Sequence, residues 1–154
     1  MPNVRLLCVG KLKEKYLSMA QDEYSKRLSA FCQLEIIEKK ESPLPANPSP
    51  ALVDKAYGEE SEALLTASRG ALIALSPEGE RVTSEGFAAM VKQYENGLSF
   101  AVGGSYGLSA AFKSKAARIV SFSDLTMPHQ LFRIVLLEQI YRAFMINSGR
   151  TYHK

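Results

Sequence analysis

Two segments in the last third of the chain carry the residue types that could bind a small molecule. The first is a glycine-rich turn, Val-Gly-Gly-Ser-Tyr-Gly-Leu over residues 102–108, which follows the apolar run 98–101. The second is Phe-Ser-Asp-Leu-Thr-Met-Pro-His over residues 122–129, which opens a long apolar segment. Glycines directly after a strand let backbone N–H groups approach a ligand that a Cβ would hold away. Together the two segments predict a small-molecule cofactor site.

Alternating strands and helices must position these segments. The apolar patterns predict strands over 4–9, 34–38, 71–75, 98–102 and 118–122. They predict helices over about 13–30, about 50–68, from a cap at 83 or 84 to an end at 96–97, over 110–116, and from 128 or 129 to about 147. This order predicts an α/β fold with a mostly parallel sheet and helices on both faces. Ligands in such sheets bind beyond the carboxyl ends of the strands. We expect Leu75, Gly103 and Phe122 to lie at that end.

Several turn and cap residues set the expected limits of these elements. The segment 41–50 contains four prolines and is therefore expected to be a surface loop. Ser49, Ser109 and either Thr83 or Ser84 are expected to cap helices. Residues 76–79, Ser-Pro-Glu-Gly, are typical of a turn that closes the third strand. Asn-Gly at 96–97 resembles a left-handed helix end.

Length and composition are those of one soluble globular domain spanning residues 1–154. The chain is 46% hydrophobic and 23% charged, and its formal net charge of +3 is too small to indicate nucleic-acid binding by itself. No apolar run is long enough for a bilayer, and no secretory signal is expected, so we predict a cytoplasmic protein without membrane partners. Cys8 and Cys32 are expected to be buried free thiols, and no spacing predicts a metal site.

The last predicted helix, 128–147, is apolar around most of its circumference. Such a helix must be buried on more than one side. Its own sheet can cover only one side, so the pattern favours a partner chain, and a two-fold homodimer is the commonest arrangement.

The sequence lacks the motifs of three common kinds of site, or has them in the wrong place. A dinucleotide-binding fold requires Gly-x-Gly-x-x-Gly after the first strand, whereas the glycine cluster here follows the fourth. The P-loop pattern is absent, and so is the Gly-x-Ser-x-Gly nucleophile elbow.

In combination the motifs resemble the RlmH family of ribosomal RNA large-subunit methyltransferases, members of the SPOUT class. The resemblance rests on residues 9–16, 102–108, 122–130, 138–143 and 152–154, and so extends over essentially the whole chain. It implies a C-terminal trefoil knot, which general topology rules exclude. It also implies a homodimer that uses S-adenosylmethionine to methylate N3 of a pseudouridine in 23S ribosomal RNA on assembled ribosomes.

The resemblance also implies which residues form the site. The cofactor-binding residues would be Leu75, Gly103, Phe122, Ser123, Asp124, Leu125, Thr126 and Met127. The sequence Ser-Pro-Glu-Gly at 76–79 departs from the family pattern beside Leu75. Two alternatives remain open: a SPOUT methyltransferase acting on tRNA, and a non-enzymatic ribosome-associated factor.

Four residues are candidates for catalysis. A histidine side chain can accept a proton near neutral pH, so His129 could remove the N3 proton, although it could equally brace a loop or cap a helix. Arg142 could bind phosphate or a base carbonyl, or pair with Glu138 one helical turn earlier. In the family the tail is part of the active site, so Tyr152 and His153 are expected to contact the RNA base. Arg133 is open to the same two interpretations as Arg142, with a preference for function.

Overall fold

A five-stranded parallel sheet forms the centre of the structure, a computed structural model that describes residues 1–154. The strands are β1 (Asn3–Val9), β2 (Gln33–Lys39), β3 (Ala71–Arg81), β4 (Leu98–Val102) and β5 (Arg118–Ser121). Their order across the sheet is β2-β1-β4-β3-β5, and every pairing is parallel. The predicted α/β class with a parallel sheet is therefore confirmed.

Five helices connect the strands: α1 (Lys15–Leu28), α2 (Pro50–Ala67), α3 (Ser84–Gln93), α4 (Ala110–Ser114) and α5 (His129–Asn147). Alternate residues of β1 point to opposite faces: Leu6 packs with α1, α3 and α5, whereas Leu7 packs with α2 and α4. Helices thus cover both faces, as predicted. None of the five combines the length and apolar character needed to cross a bilayer.

The predicted helix caps are present. Ser49 Oγ accepts a hydrogen bond from Leu52 N at 3.3 Å, and Ser109 Oγ accepts one from Phe112 N at 3.1 Å. Of the two candidates before α3, Thr83 is the cap, with Oγ1 3.0 Å from Gly86 N. The proline-rich segment between β2 and α2 contains neither helix nor strand, as expected.

Two local predictions were wrong. β3 does not end in a turn after Leu75 but continues to Arg81, because Leu75 and Glu80 both pair with Val120 of β5 while the residues between them leave the ladder. We call residues 76–79, which leave the ladder, the excursion of β3. A Cβ at Gly79 would lie 2.7 Å from the β5 backbone, so the excursion requires glycine at this position. Gly97 does not cap α3, which ends at Gln93, although its φ is +152°.

Helix α5 is covered by neighbouring helices as well as by the sheet. It packs between α1 and α3, and these helices cover part of the circumference that the sequence analysis assigned to a partner chain. Leu131 nevertheless remains 41% exposed on its outer side.

Arg133 lies inside the protein, on the face of α5 that meets β1 and β2. It is 1% exposed and bonds to Glu38 Oε2 at 2.5 Å and to the carbonyl of Gly10 at 3.0 Å. The neighbouring Cys8 thiol is also buried, and burial raises its pKa to about 12. Arg133 therefore joins α5 to the first two strands and does not reach a ligand site, which corrects the functional preference inferred from its position.

Candidate active site

A concave site lies beyond the carboxyl ends of β3, β4 and β5. It is an open cleft of about 390 Å³, which is in the range of small-molecule sites. Three chain segments form its walls: the excursion after Leu75, the turn after Val102 and the loop after Ser121. The cleft is where the parallel-sheet argument placed it.

The structure brings together all but one of the predicted cofactor-binding residues. Those that line the cleft are Leu75, Gly103, Phe122, Ser123, Leu125, Thr126 and Met127. The exception is Asp124, whose largely exposed carboxylate is paired with Arg81. This ion pair lowers the pKa of Asp124 and holds its side chain at the outer surface.

The glycine turn closes on itself. Gly107 has φ +81° and donates its N–H to the carbonyl of Gly104 at 3.0 Å. A Cβ on Gly103 would lie 2.4 Å from the carbonyl carbon of Gly107, so only glycine permits this closure. Because these glycines have no side chains, the backbone of the turn itself lines the cleft.

Helix α2 supports the turn from behind, a contact that no motif in the sequence predicts. Tyr57 donates its hydroxyl to the carbonyl of Leu108 at 2.9 Å, and Ser61 Oγ accepts from Ser109 N at 3.0 Å. Glu60 is 6% exposed, and burial is the main cause of its raised pKa. An amphipathic helix pattern marks such residues as inward-facing but does not say which loop they meet.

The loop 122–127 is held by its own polar groups and by aromatic packing. Ser123 Oγ accepts from Leu125 N at 2.9 Å. The ring of Phe122 packs edge-on against Phe87, with ring centres 5.2 Å apart, and at a tilt of 46° against Phe132, with ring centres 5.5 Å apart. Phe122 therefore gives the cleft a fixed apolar wall, since both neighbours belong to helices of the core.

The excursion after Leu75 carries a charged group of the cleft, Glu78, which pairs with Lys113. Lys113 Nζ donates to both carboxylate oxygens of Glu78, at 3.0 and 2.9 Å, and Ser76 Oγ also donates to this carboxylate. These two hydrogen-bond donors, Ser76 first, lower the pKa of Glu78 to about 2. Glu78, in the segment that departs from the family pattern, thus forms an ion pair with Lys113 of α4 at the rim, a contact that no local motif encodes.

The four catalytic candidates fall into two groups, one at each end of α5. His129 begins the helix and lies at the cleft wall. Arg142, Tyr152 and His153 do not line the cleft, and at about 1.5 Å per residue Arg142 is about 20 Å farther along the helix. Within one chain, therefore, the predicted catalytic residues are not brought together.

Arg142, Tyr152 and His153, with Glu138 and Glu85, form what we call the tail cluster. Glu138 accepts from Arg142 Nε at 3.1 Å, the predicted helical ion pair, and also from the Tyr152 hydroxyl. The Arg142 guanidinium lies 4.7 Å from the centre of the Tyr152 ring. The hydrogen bond to Glu138 and partial burial raise the pKa of Tyr152, which keeps its hydroxyl protonated.

The chain is similar in sequence to a family of methyltransferases. Residues 2–153 match the family described as "Predicted SPOUT methyltransferase". The chain is 45% identical to a Streptococcus uberis protein named "Ribosomal RNA large subunit methyltransferase H", over 98% of this chain and 99% of that protein. A Leuconostoc mesenteroides protein of the same name is 46% identical, with 99% of each chain covered.

A solved structure has the same fold at low sequence identity. It is described as a probable methylase family protein from Haemophilus influenzae and aligns with a TM-score of 0.58 at 13% identity. The alignment covers 99% of this chain and 71% of that one. At this identity the likeness concerns the fold alone.

Proposed function

Because the chain belongs to the SPOUT methyltransferase family, we propose that it methylates N3 of a pseudouridine in large-subunit ribosomal RNA, using S-adenosylmethionine on assembled ribosomes. The observation that carries the proposal is the convergence of the glycine turn and the loop 122–127 on one cleft. The near-full-length similarity to proteins named ribosomal RNA large subunit methyltransferase H supports the choice of RNA.

The cleft fits S-adenosylmethionine in size and in chemistry. Leu75, Phe122 and Met127 provide apolar surface for a nucleobase, while the backbone of the glycine turn and of 122–127 provides hydrogen-bonding groups. When bound, S-adenosylmethionine would supply an electrophilic methyl group, with its sulfur as the leaving group. Asp124 would contribute through its backbone only, since its carboxylate is paired with Arg81.

The chain's own residues would prepare the acceptor. Pseudouridine N3 lies between two carbonyl groups and must lose its proton before it attacks, and an imidazole can accept that proton near neutral pH. Arg142 has a planar guanidinium that can donate to a base carbonyl. Most of the rate enhancement would come from holding the acceptor in line with the methyl group.

We further propose that the active unit is a homodimer. His129 and the tail cluster lie at opposite ends of α5, so one chain cannot place both at the same methyl group. A second copy could bring its tail cluster to the first copy's cleft, as the family resemblance predicts. The single domain 1–154 and the C-terminal knot stay predictions of the same resemblance.

Methyl transfer to defined RNAs tests this function. Purified protein and labelled S-adenosylmethionine are incubated with ribosomes lacking the modification, with isolated large subunits and with tRNA, and the nucleosides are analysed by mass spectrometry. We expect N3-methylpseudouridine in ribosomal RNA from assembled ribosomes. Labelling of tRNA alone would favour the tRNA alternative. Absence of transfer, with no heat on titration with S-adenosylmethionine, would favour a non-enzymatic ribosome-associated factor.

A further inference from the structure

The imidazole of His153 is bound at both nitrogens. Arg142 Nη1 lies 3.1 Å from Nδ1, and Glu85 Oε1 lies 2.7 Å from Nε2. A guanidinium has only donors, so Nδ1 must be the acceptor in the first contact. In the neutral ring the proton is then on Nε2, which donates it to the carboxylate of Glu85. These two contacts select one of the two neutral tautomers of His153.

Glu85 is well placed to remain a charged acceptor. It lies in the first turn of α3, where exposed backbone N–H groups stabilise a carboxylate. Its own backbone N–H, and next the hydrogen bond from His153, lower its pKa below the ordinary value. Glu85 is therefore ionised throughout the range in which a histidine titrates.

We propose that Glu85 is a positioning residue, which holds His153 in the Nε2–H tautomer so that Nδ1 accepts the proton of the RNA base. This inference rests on the proposed function. In that step the N3–H bond breaks as the Nδ1–H bond forms, and the electron pair stays on N3. Arg142 Nη1 moves its hydrogen bond from Nδ1 to a carbonyl beside N3. The carboxylate of Glu85 then faces a charged imidazolium and stabilises it.

The remaining contacts of the tail cluster fit this assignment. Arg142 already gives Nε to Glu138 at 3.1 Å, which leaves Nη1 as the donor that a base carbonyl can take over. The His153 side chain is 27% exposed and that of Arg142 is 24% exposed, so a base can reach both. In contrast, the buried Arg133 has its donors committed to Glu38, Gln21 and Gly10.

Two variants, Glu85→Ala and Glu85→Gln, test whether Glu85 fixes the tautomer of the His153 ring or only anchors the C-terminal tail. Glutamine keeps an oxygen acceptor for Nε2–H but removes the charge, whereas alanine removes both. Glu95→Ala is the matched control, because Glu95 is an exposed acid just past the end of the same helix. Melting temperatures of all three variants show whether each one folds.

Nitrogen-15 NMR of the imidazole rings reads the tautomer directly, because the chain has only two histidines. We expect the Nε2–H form of His153 in the wild type and in Glu85→Gln, and a mixture of tautomers in Glu85→Ala. In methyl-transfer assays, kcat should fall about 10- to 100-fold in Glu85→Ala, a part of the 100- to 10,000-fold that general-base catalysis contributes. The KM values for RNA and methyl donor should not change.

The proposal would be overturned if His153 carried its proton on Nδ1 in the wild type. It would also be overturned if the Glu85→Ala variant had the kcat of the wild type, or if its His153 kept the wild-type tautomer. If the wild-type protein transfers no methyl group, the proposed function fails. The NMR result then still decides whether Glu85 fixes the ring.

Discussion

The two halves of α5 each carry an arginine that pairs with a glutamate, and the two arginines are surrounded very differently. Arg133 is 1% exposed, and Glu38, Gln21 and the carbonyl of Gly10 occupy its donors. The Arg142 side chain is 24% exposed and has an accessible edge beside His153. The same guanidinium group can thus join secondary structure elements or present donors to a ligand, and its exposure decides between these roles.

The largest effect should come from Arg133→Met. The substitution removes one partner of a largely buried ion pair and leaves Glu38 and the Gly10 carbonyl without their donor. We expect the free energy of unfolding to fall by about 3–5 kcal/mol, measured by urea denaturation. Glu23→Ala, which breaks the surface pair with Arg27, is the control and should leave the denaturation midpoint unchanged. An Arg133→Met protein as stable as the wild type would contradict the structural role.

Arg142→Lys should separate activity from stability. Lysine keeps the charge but cannot contact Glu138 and His153 with a planar fork of donors. We expect kcat for methyl transfer to fall about 100-fold, equivalent to about 2.7 kcal/mol in activation free energy. The melting temperature and the affinity for S-adenosylmethionine, measured by calorimetry, should not change.

The control for this variant is Arg150→Lys, which changes an exposed arginine whose guanidinium lies 4.9 Å from the centre of the Phe31 ring. It should be as active as the wild type. Wild-type activity in Arg142→Lys would mean that the tail needs positive charge only, not the Arg142 geometry. Equal losses in both variants would contradict a specific role for Arg142.

Mixing two inactive variants tests whether the two ends of α5 meet across a dimer. Gly103→Val should inactivate the cleft, because a Cβ there would lie 2.4 Å from Gly107, and Arg142→Lys should inactivate the tail cluster. Random exchange of subunits in a homodimer should restore about a quarter of wild-type activity, since half the dimers are mixed and each has one intact site. Activity no higher than that of the parents would show that each chain uses its own tail.

The smallest effect should come from Glu78→Gln at the rim of the cleft. The folded pKa of Glu78 is about 2, below its ordinary value of 4.5, so the carboxylate stabilises the fold above pH 4.5 and this contribution disappears as the pH falls toward 2. Because the side chain is 71% exposed, we expect a loss below about 1 kcal/mol at pH 7. Urea denaturation at pH 7 and at pH 3 should show the difference between variant and wild type shrinking in acid.

The sequence predicted the features that depend on local chemistry. Hydroxyl side chains before apolar periodic segments identified the caps at Ser49 and Ser109, and Pro128 before His129 marked the start of α5 correctly. The glycine turn and the loop after β5 were placed at one edge of the sheet because parallel strands end together.

Features that depend on distant pairing were missed. Ser-Pro-Glu-Gly at 76–79 is typical of a turn, and only the second pairing of Val120, with Glu80, shows that β3 continues. Similarly, Arg133 lies near the predicted site in the sequence, and this position suggested a functional role. Its partner Glu38 is far away in the sequence, so the structural role could not be predicted. The support of the glycine turn by Tyr57 also joins segments that are far apart in the chain.

The position of β1 between β2 and β4 has a consequence for how the protein folds during synthesis. β1 can pair with β2 early, but its other edge stays open until β4 has been made, and the bond from Arg133 to Gly10 awaits α5. Native contacts of large sequence separation slow folding. The first strand therefore leaves the ribosome well before β4, and α5, which begins at the cleft, is the last helix available to complete the core.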